Sequence, residues 1–235
     1  MENRIPFDKC LTFINCQLQP ADALGRARQP KPRKLAITLS RQTGAGALIV
    51  AEGLADFLQA HAPKDSRPWT VFDRNLVEKV LDDHHLPAKL AQFMPEDRRS
   101  EIADIVEELL GLHPPSWTLV RQVTETILKL ADLGNVILVG RGANVITNRL
   151  PHVFHVRLVG SLEQRVARVQ EHMHLNAKAA AEHIATEERG RERYLQKHFR
   201  ADINDPLSYH LVINTDRVPL DEATRIIGEA ALRHR

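Results

Sequence analysis

Hydrophobic positions follow two rhythms along the chain. Short unbroken apolar runs alternate with longer stretches of three- and four-residue spacing, the signatures of buried strands and amphipathic helices. Residues 35–39 form the first apolar run, and Gly44 and Gly46 stop it, so it predicts a strand. Ala47, Ile49, Val50, Ala51, Leu54, Ala55 and Leu58 then recur at helical spacing and predict a helix over 46–60. A second strand is predicted at 69–72 and a helix at 74–83. Two amphipathic helices follow, at 96–111 and 116–133, separated by Pro114 and Pro115. Residues 136–139 are apolar on both faces, as a central parallel strand requires, and run straight into Gly140-Arg141-Gly142. A strand is predicted at 153–159, and Ser161 with Gln164 forms a capping box that opens a helix over 162–171. Asn176 caps a long helix reaching about residue 200, then come a last strand at 211–213 and a helix from 219 onward. Strands alternating with helices predict an α/β fold: a parallel sheet flanked by helices on both faces.

Ahead of this pattern, Phe7, Leu11, Ile14 and Leu18 lie on one stripe of a short helix. Such a stripe must be buried against the main body or against a second subunit, which makes a homodimer through this helix one expectation. Pro20, Pro30 and Pro32 mark a linker after it, because proline bars helix continuation. The chain therefore divides into an N-terminal helix and basic linker at 1–34 and one domain at 35–235.

The charge balance is +2 overall, yet Arg26, Arg28, Lys31, Arg33 and Lys34 place +5 in the linker alone. The rest of the chain is then slightly acidic, and no aromatic residue is interleaved with the basic run for base stacking, so nucleic acid is not an expected partner. A composition 43% hydrophobic and 26% charged is that of a folded globular chain, and 5% aromatic residues argue against an all-β sandwich. No run approaches the roughly 20 apolar residues of a membrane helix, and the first residues lack the basic start and apolar block of a secretory signal. Cys10 and Cys16 cannot build a disulfide framework, and they read as packing residues in a reducing cytoplasm. The pairs His84-His85 and His172/His174 lack partners at a metal-binding spacing, so no metal ligands are expected among them.

Parallel sheets bind ligands beyond the carboxyl ends of their strands. The informative residues are thus those at 40–46, 73–74, 140–142, 160–161 and 214–215. Strand, then Ser40-Arg41-Gln42-Thr43-Gly44-Ala45-Gly46, then helix is the layout of a phosphate-binding loop, whose N–H groups and helix dipole attract anions. A complete loop of this kind carries a lysine and a hydroxyl after its last glycine. Here Ala47 and Leu48 stand there, and Arg41 replaces the first glycine. Alone, the segment reads equally well as a structural turn.

From Ile37 onward the chain resembles the cytidylate kinase-like family, a branch of the nucleoside monophosphate kinases. The resemblance rests on four segments in order: the residues 37–46 just described, Phe72-Asp73-Arg74-Asn75-Leu76-Val77, Ile137-Leu138-Val139-Gly140-Arg141-Gly142-Ala143, and Leu211-Val212-Ile213-Asn214-Thr215 after an arginine-rich helix. It implies a P-loop NTP hydrolase-like fold of the nucleoside monophosphate kinase type. The implied activity moves the γ-phosphoryl group of ATP, with Mg²⁺, onto a nucleoside monophosphate, CMP or dCMP first, or onto a related small acceptor. On that reading Ser40, Thr43, Gly44, Ala45, Gly46 and Ala47 hold the donor phosphates. Arg41, Arg189 and Arg193 neutralise the transferred charge, the last two from a lid at about 186–202. Asp73, Arg74, Gly140 and Arg141 hold the acceptor, beside a helical insert at about 73–135. Two alternatives stand beside this: Asp73 as a helix cap, and the run 189–193 as a solvated, salt-bridged helix face. For the whole protein the alternative is a nucleotide-binding regulator with a degenerate loop and no turnover.

Overall fold

The computed structural model describes Thr12 and residues 34–63, 66–73, 96–110 and 118–234, apart from the side chains of 96–99 and 118. The N-terminal stripe, most of the basic linker, Cys10, Cys16, Arg74, the helix expected at 74–83, His84-His85 and the Pro114-Pro115 break lie outside the described residues.

Strand β1 (Ala36–Arg41) leads into α1 (Ala47–Ala60), followed by β2 (Thr70–Phe72). Helices α2 (Glu96–Leu110) and α3 (Thr118–Leu133) precede β3 (Val136–Val139) and a one-turn α4 (Ala143–Ile146). Then come β4 (Val153–Val159), α5 (Leu162–Met173), the long α6 (Ala177–Phe199), β5 (Leu211–Asn214) and α7 (Leu220–Arg233). The caps expected from sequence form: Ser161 Oγ accepts from the Gln164 N–H at 3.3 Å, and Asn176 Oδ1 from the Ala179 N–H at 2.9 Å. The reciprocal half of the Ser161 box does not: the Ser161 N–H donates to Asp216 instead.

Among the described residues the sheet has five parallel strands in the order β2-β3-β1-β4-β5. Its apolar side chains sort by parity. Ala36, Val136 and Leu138 join the α2, α3 and α4 residues in one core layer, while Ile37, Leu39, Ile137, Val139, Val156 and Leu158 join α1 and α7 in the other. This is the two-sided burial that unbroken apolar runs predict. The chain passes from β1 to one side of the sheet for β2 and β3, then crosses to the other for β4 and β5. The switch point where ligands bind in such sheets is therefore the carboxyl end of β1.

Two local features at that end depart from the sequence reading. β1 extends two residues beyond 39, because Ser40 and Arg41 continue the register with Arg157 and Leu158 of β4. After β3, Gly140, Arg141 and Gly142 all take positive φ, at 84°, 54° and 71°. Their turn folds back so that the Ala143 N–H donates to the Gly140 carbonyl, which starts the unanticipated α4. Arg141 is thus held in a conformation that L-residues seldom adopt, between two glycines that adopt it freely.

Candidate functional site

A cavity of about 270 Å³ opens at the switch point. Ser40 and Arg41 from the end of β1 form one wall, Gly140, Arg141 and Asn144 a second, and α6 the third, through Glu187, Arg191 and Tyr194. Three guanidinium groups, those of Arg41, Arg141 and Arg191, therefore meet around a single space. The Arg41 pKa is pushed down to about 10, by burial first and then by the positive charge of Arg191; Glu187 and Asp73 oppose the shift, and Arg141 adds to it. Burial also lowers Arg191, with Glu187 and Glu188 countering it. Guanidinium groups stay charged at neutral pH, so three cations share one cavity. An anion entering the cavity would relieve both the crowding and the lost hydration. Burial raises the Tyr194 phenol above its usual range, with Arg141 acting against it, so it stands as a neutral hydroxyl on the same wall.

Arg41 fixes Gly140 in turn. A Cβ at Gly140 would land on the Arg41 guanidinium, so the glycine here is a matter of room as well as of its φ of +84°.

Below the cavity, β1 and β4 carry a buried polar ladder. Thr38 stands opposite His155 and Ser40 opposite Arg157. Thr38 Oγ1 lies 2.8 Å from His155 Nδ1, and Arg157 donates to Ser40 Oγ at 2.9 Å and to Asn204 Oδ1 at 2.8 Å. The Tyr209 hydroxyl adds a third contact, 3.2 Å from Ser40 Oγ, and the Arg157 guanidinium lies 5.7 Å from the Tyr209 ring centre. Ser40 lines the cavity, but its hydroxyl already serves this network.

The glycine loop sits beside the cavity rather than in its lining. Gly46, at φ +81°, provides the turn into α1. Gly44 lies against α5 so closely that a Cβ would come within 2.5 Å of the Arg165 carbonyl oxygen. The loop's polar groups are engaged from α5 and α6. Arg165 and Arg168 donate to the Thr43 and Gly44 carbonyls, both at 3.3 Å. Arg191 donates to Thr43 Oγ1 at 2.8 Å, and the Thr43 N–H donates to Glu188 at 3.2 Å.

The structure thus brings Ser40, Arg41, Gly140 and Arg141 into one cavity, with the charge of Asp73 acting on Arg41. It places Thr43 between that cavity and the loop's neighbours, and Gly44, Ala45, Gly46 and Ala47 beside it. Arg189 and Arg193 are not brought in: both are exposed on the outer face of α6, and Arg191 between them faces inward. At about 100° per residue, the buried positions Ala180, Ile184 and Leu195 share a stripe with 191, whereas 189 and 193 fall on the far side. Gly190 does not interrupt α6, which is helical throughout. Arg157, Arg165, Arg168, Glu188 and Tyr209 were not singled out from the sequence. The legible signal for Arg157 was its parity: His155 and Arg157 alternate with apolar residues inside a buried strand. Among the described residues no group of three or more His, Cys, Asp or Glu side chains could hold a metal ion by itself, and no helix is long and apolar enough to cross a membrane.

Comparison with known proteins places this geometry in context. The sequence profile of the cytidylate kinase-like family matches residues 36–217. An uncharacterized protein from Eubacterium ventriosum, known from its crystal structure, superposes with a TM-score of 0.65 at 20% identity, over 85% of this chain and 98% of that one. At that identity the likeness speaks for the fold. A protein of Corynebacterium glutamicum named uronate isomerase is 30% identical over 115 residues, which are 49% of this chain and 22% of that protein. The match thus spans about a fifth of that relative's length.

Proposed function

The chain belongs to the cytidylate kinase-like family, and from that premise we propose that it is a cytoplasmic phosphotransferase moving the γ-phosphoryl group of ATP onto a nucleoside monophosphate, CMP or dCMP first. The observation that carries the proposal is the convergence of Arg41, Arg141 and Arg191 on one cavity at the carboxyl end of β1. Phosphoryl transfer asks a protein mainly for positioning and for cations around a dispersed negative charge, and guanidinium forks suit phosphate oxygens. In this reading the loop N–H groups of residues 43–47 cradle the donor phosphates. Arg141, fixed by its turn, and Asp73 hold the acceptor, with Asn144 on the same wall as Arg141. Arg41 and Arg191 face the group in transfer, and Arg191 takes the role that sequence reasoning gave to Arg189 and Arg193. With donor and acceptor both bound, α6 closes the cavity wall and keeps water from the reacting phosphoryl group.

Mg²⁺ binds such sites through one or two carboxylates and the nucleotide's own phosphates. Glu187, a carboxylate in the cavity lining, fits that demand and would hold it. When bound it supplies charge neutralisation across the donor phosphates.

A second reading, a nucleotide sensor without turnover, draws on Ala47 and Leu48 in the places of a loop lysine and hydroxyl. One assay separates the two: ADP release from ATP with Mg²⁺ across a panel of nucleoside monophosphates, paired with ATP binding. The kinase reading expects turnover with one acceptor. Binding without turnover for any acceptor would favour the sensor, and neither binding nor turnover would remove both.

A further inference from the structure

Thr43 opens the glycine loop, and its N–H is a donor of the kind such loops aim at phosphate. In this structure that N–H meets the Glu188 Oε1 carboxylate oxygen at 3.2 Å. The same oxygen accepts from Arg165 Nη1 at 2.6 Å. Arg165 is no passing surface partner. Its side chain is 7% exposed, its Nε donates to the Gly160 carbonyl at 2.9 Å, and its own backbone packs on Gly44. One carboxylate oxygen thus takes a backbone N–H and a buried guanidinium together, which is how a protein binds an oxyanion. The adjoining Thr43 hydroxyl is covered by Arg191, itself paired with Glu187 at 3.2 Å.

We infer that the Glu188 carboxylate is a resident anion of the glycine loop, which the phosphates of a donor nucleotide must displace, and that this exchange couples donor binding to the position of α6. The inference rests on the reading of the loop as a phosphate site. The Thr43 N–H cannot serve a phosphate oxygen and Glu188 at once. When a phosphate arrives, Arg165 exchanges one anionic partner for another and its buried charge is never left without one. That exchange matters because a buried cation stripped of its partner is costly. Glu188 leaves the loop at the same moment. It stands on α6 one residue after Glu187 and three before Arg191, so releasing it loosens the helix that supplies a wall of the acceptor cavity. Reciprocally, whatever pulls α6 away from the loop opens the donor seat, since coupling of this kind acts equally in both directions.

The test titrates inorganic pyrophosphate, without metal, into the full chain and into Glu188→Gln by calorimetry. Glutamine keeps the side chain's shape and removes its charge, so the inference expects the variant to bind pyrophosphate roughly five-fold tighter or more. A purely structural Glu188 would leave affinity unchanged or weaken it. Wild-type binding without a gain in the variant overturns the inference alone and leaves the proposed function standing. Absence of pyrophosphate binding by both proteins overturns the inference together with the donor site on which it rests. Hydrogen exchange on the wild-type chain decides the matter even where the variant does not fold. Pyrophosphate should protect the amides of residues 43–47 and speed exchange in α6 around Glu188. Unchanged or slower exchange in α6 would contradict the displacement.

Discussion

Arg157 places a full charge inside the sheet, and its neighbours account for it: Ser40, Asn204 and the Tyr209 ring surround the guanidinium. Truncation strands the partner groups, so Arg157→Ala should lower unfolding free energy by about 3 kcal/mol, measured by urea denaturation. A change below about 0.5 kcal/mol, the size of an ordinary surface substitution, would mean the ladder contributes little. Gly190 predicts the opposite sign. It lies in a helix interior, and a Cβ added there would meet no atom within 4 Å. Gly190→Ala should therefore stabilise by about 0.5–1 kcal/mol, a rise of roughly 1–4 °C in Tm. A fall in Tm would show that the glycine serves a bent or open state of α6. At this scale the candidate site was half legible. Arg41 and Arg141 follow apolar strands next to glycines, and that local context marks them out. Choosing Arg191 over Arg189 and Arg193 needed the phase of α6, which only its packed residues Ala180, Ile184 and Leu195 supply. Glu188, Arg165 and Tyr209 reach the site from distant parts of the chain, and no local pattern announces such contacts.

Between β4 and its neighbours, pH dependence is set by burial. The His155 pKa is driven down to about 3, by burial first and then by His210 and His234. Its folded value lies below its ordinary 6.5, so the folded state favours the neutral ring. The stabilisation it carries is complete above pH 6.5 and is lost progressively as pH falls from there toward 3. Between about pH 6.5 and 5 most carboxylates stay ionised, and the loss from this one ring is at most about 1.4 kcal/mol per pH unit. His155→Gln should flatten the fall in thermal stability over that window, leaving the part due to His210, whose pKa burial also lowers. An unchanged slope would assign the acid sensitivity elsewhere. The elements themselves were readable because each rule that made them is local. Parity separates the two core layers, Ser161 and Asn176 cap their helices, and Gly46 turns the chain into α1. What escaped was the turn at 140–142, where three consecutive positive φ values start a one-turn helix. Glycine spacing flags such a turn without giving its course.

Across the whole molecule, a five-stranded parallel sheet brings the ends of β1 and β3 together with a helix from much later in the chain, and a cationic cavity results. The N-terminal stripe of Phe7, Leu11, Ile14 and Leu18 belongs to this scale too. We propose that it docks on the domain or on a second copy, so deleting residues 1–30 should lower the Tm or the number of subunits per particle in solution; if both stay unchanged, the stripe has no such role. The cavity's proposed work is tested most directly by following the γ-phosphoryl group itself. ATP labelled at the γ-phosphate is incubated with CMP, Mg²⁺ and either the wild-type chain or Arg141→Ala, and the products are resolved by mass. The wild type should place the label in CDP, and the variant should do so about 10²-fold more slowly or worse, the scale of loss when an acceptor is held out of position. Label found only in inorganic phosphate, or equal transfer by both proteins, would contradict this expectation.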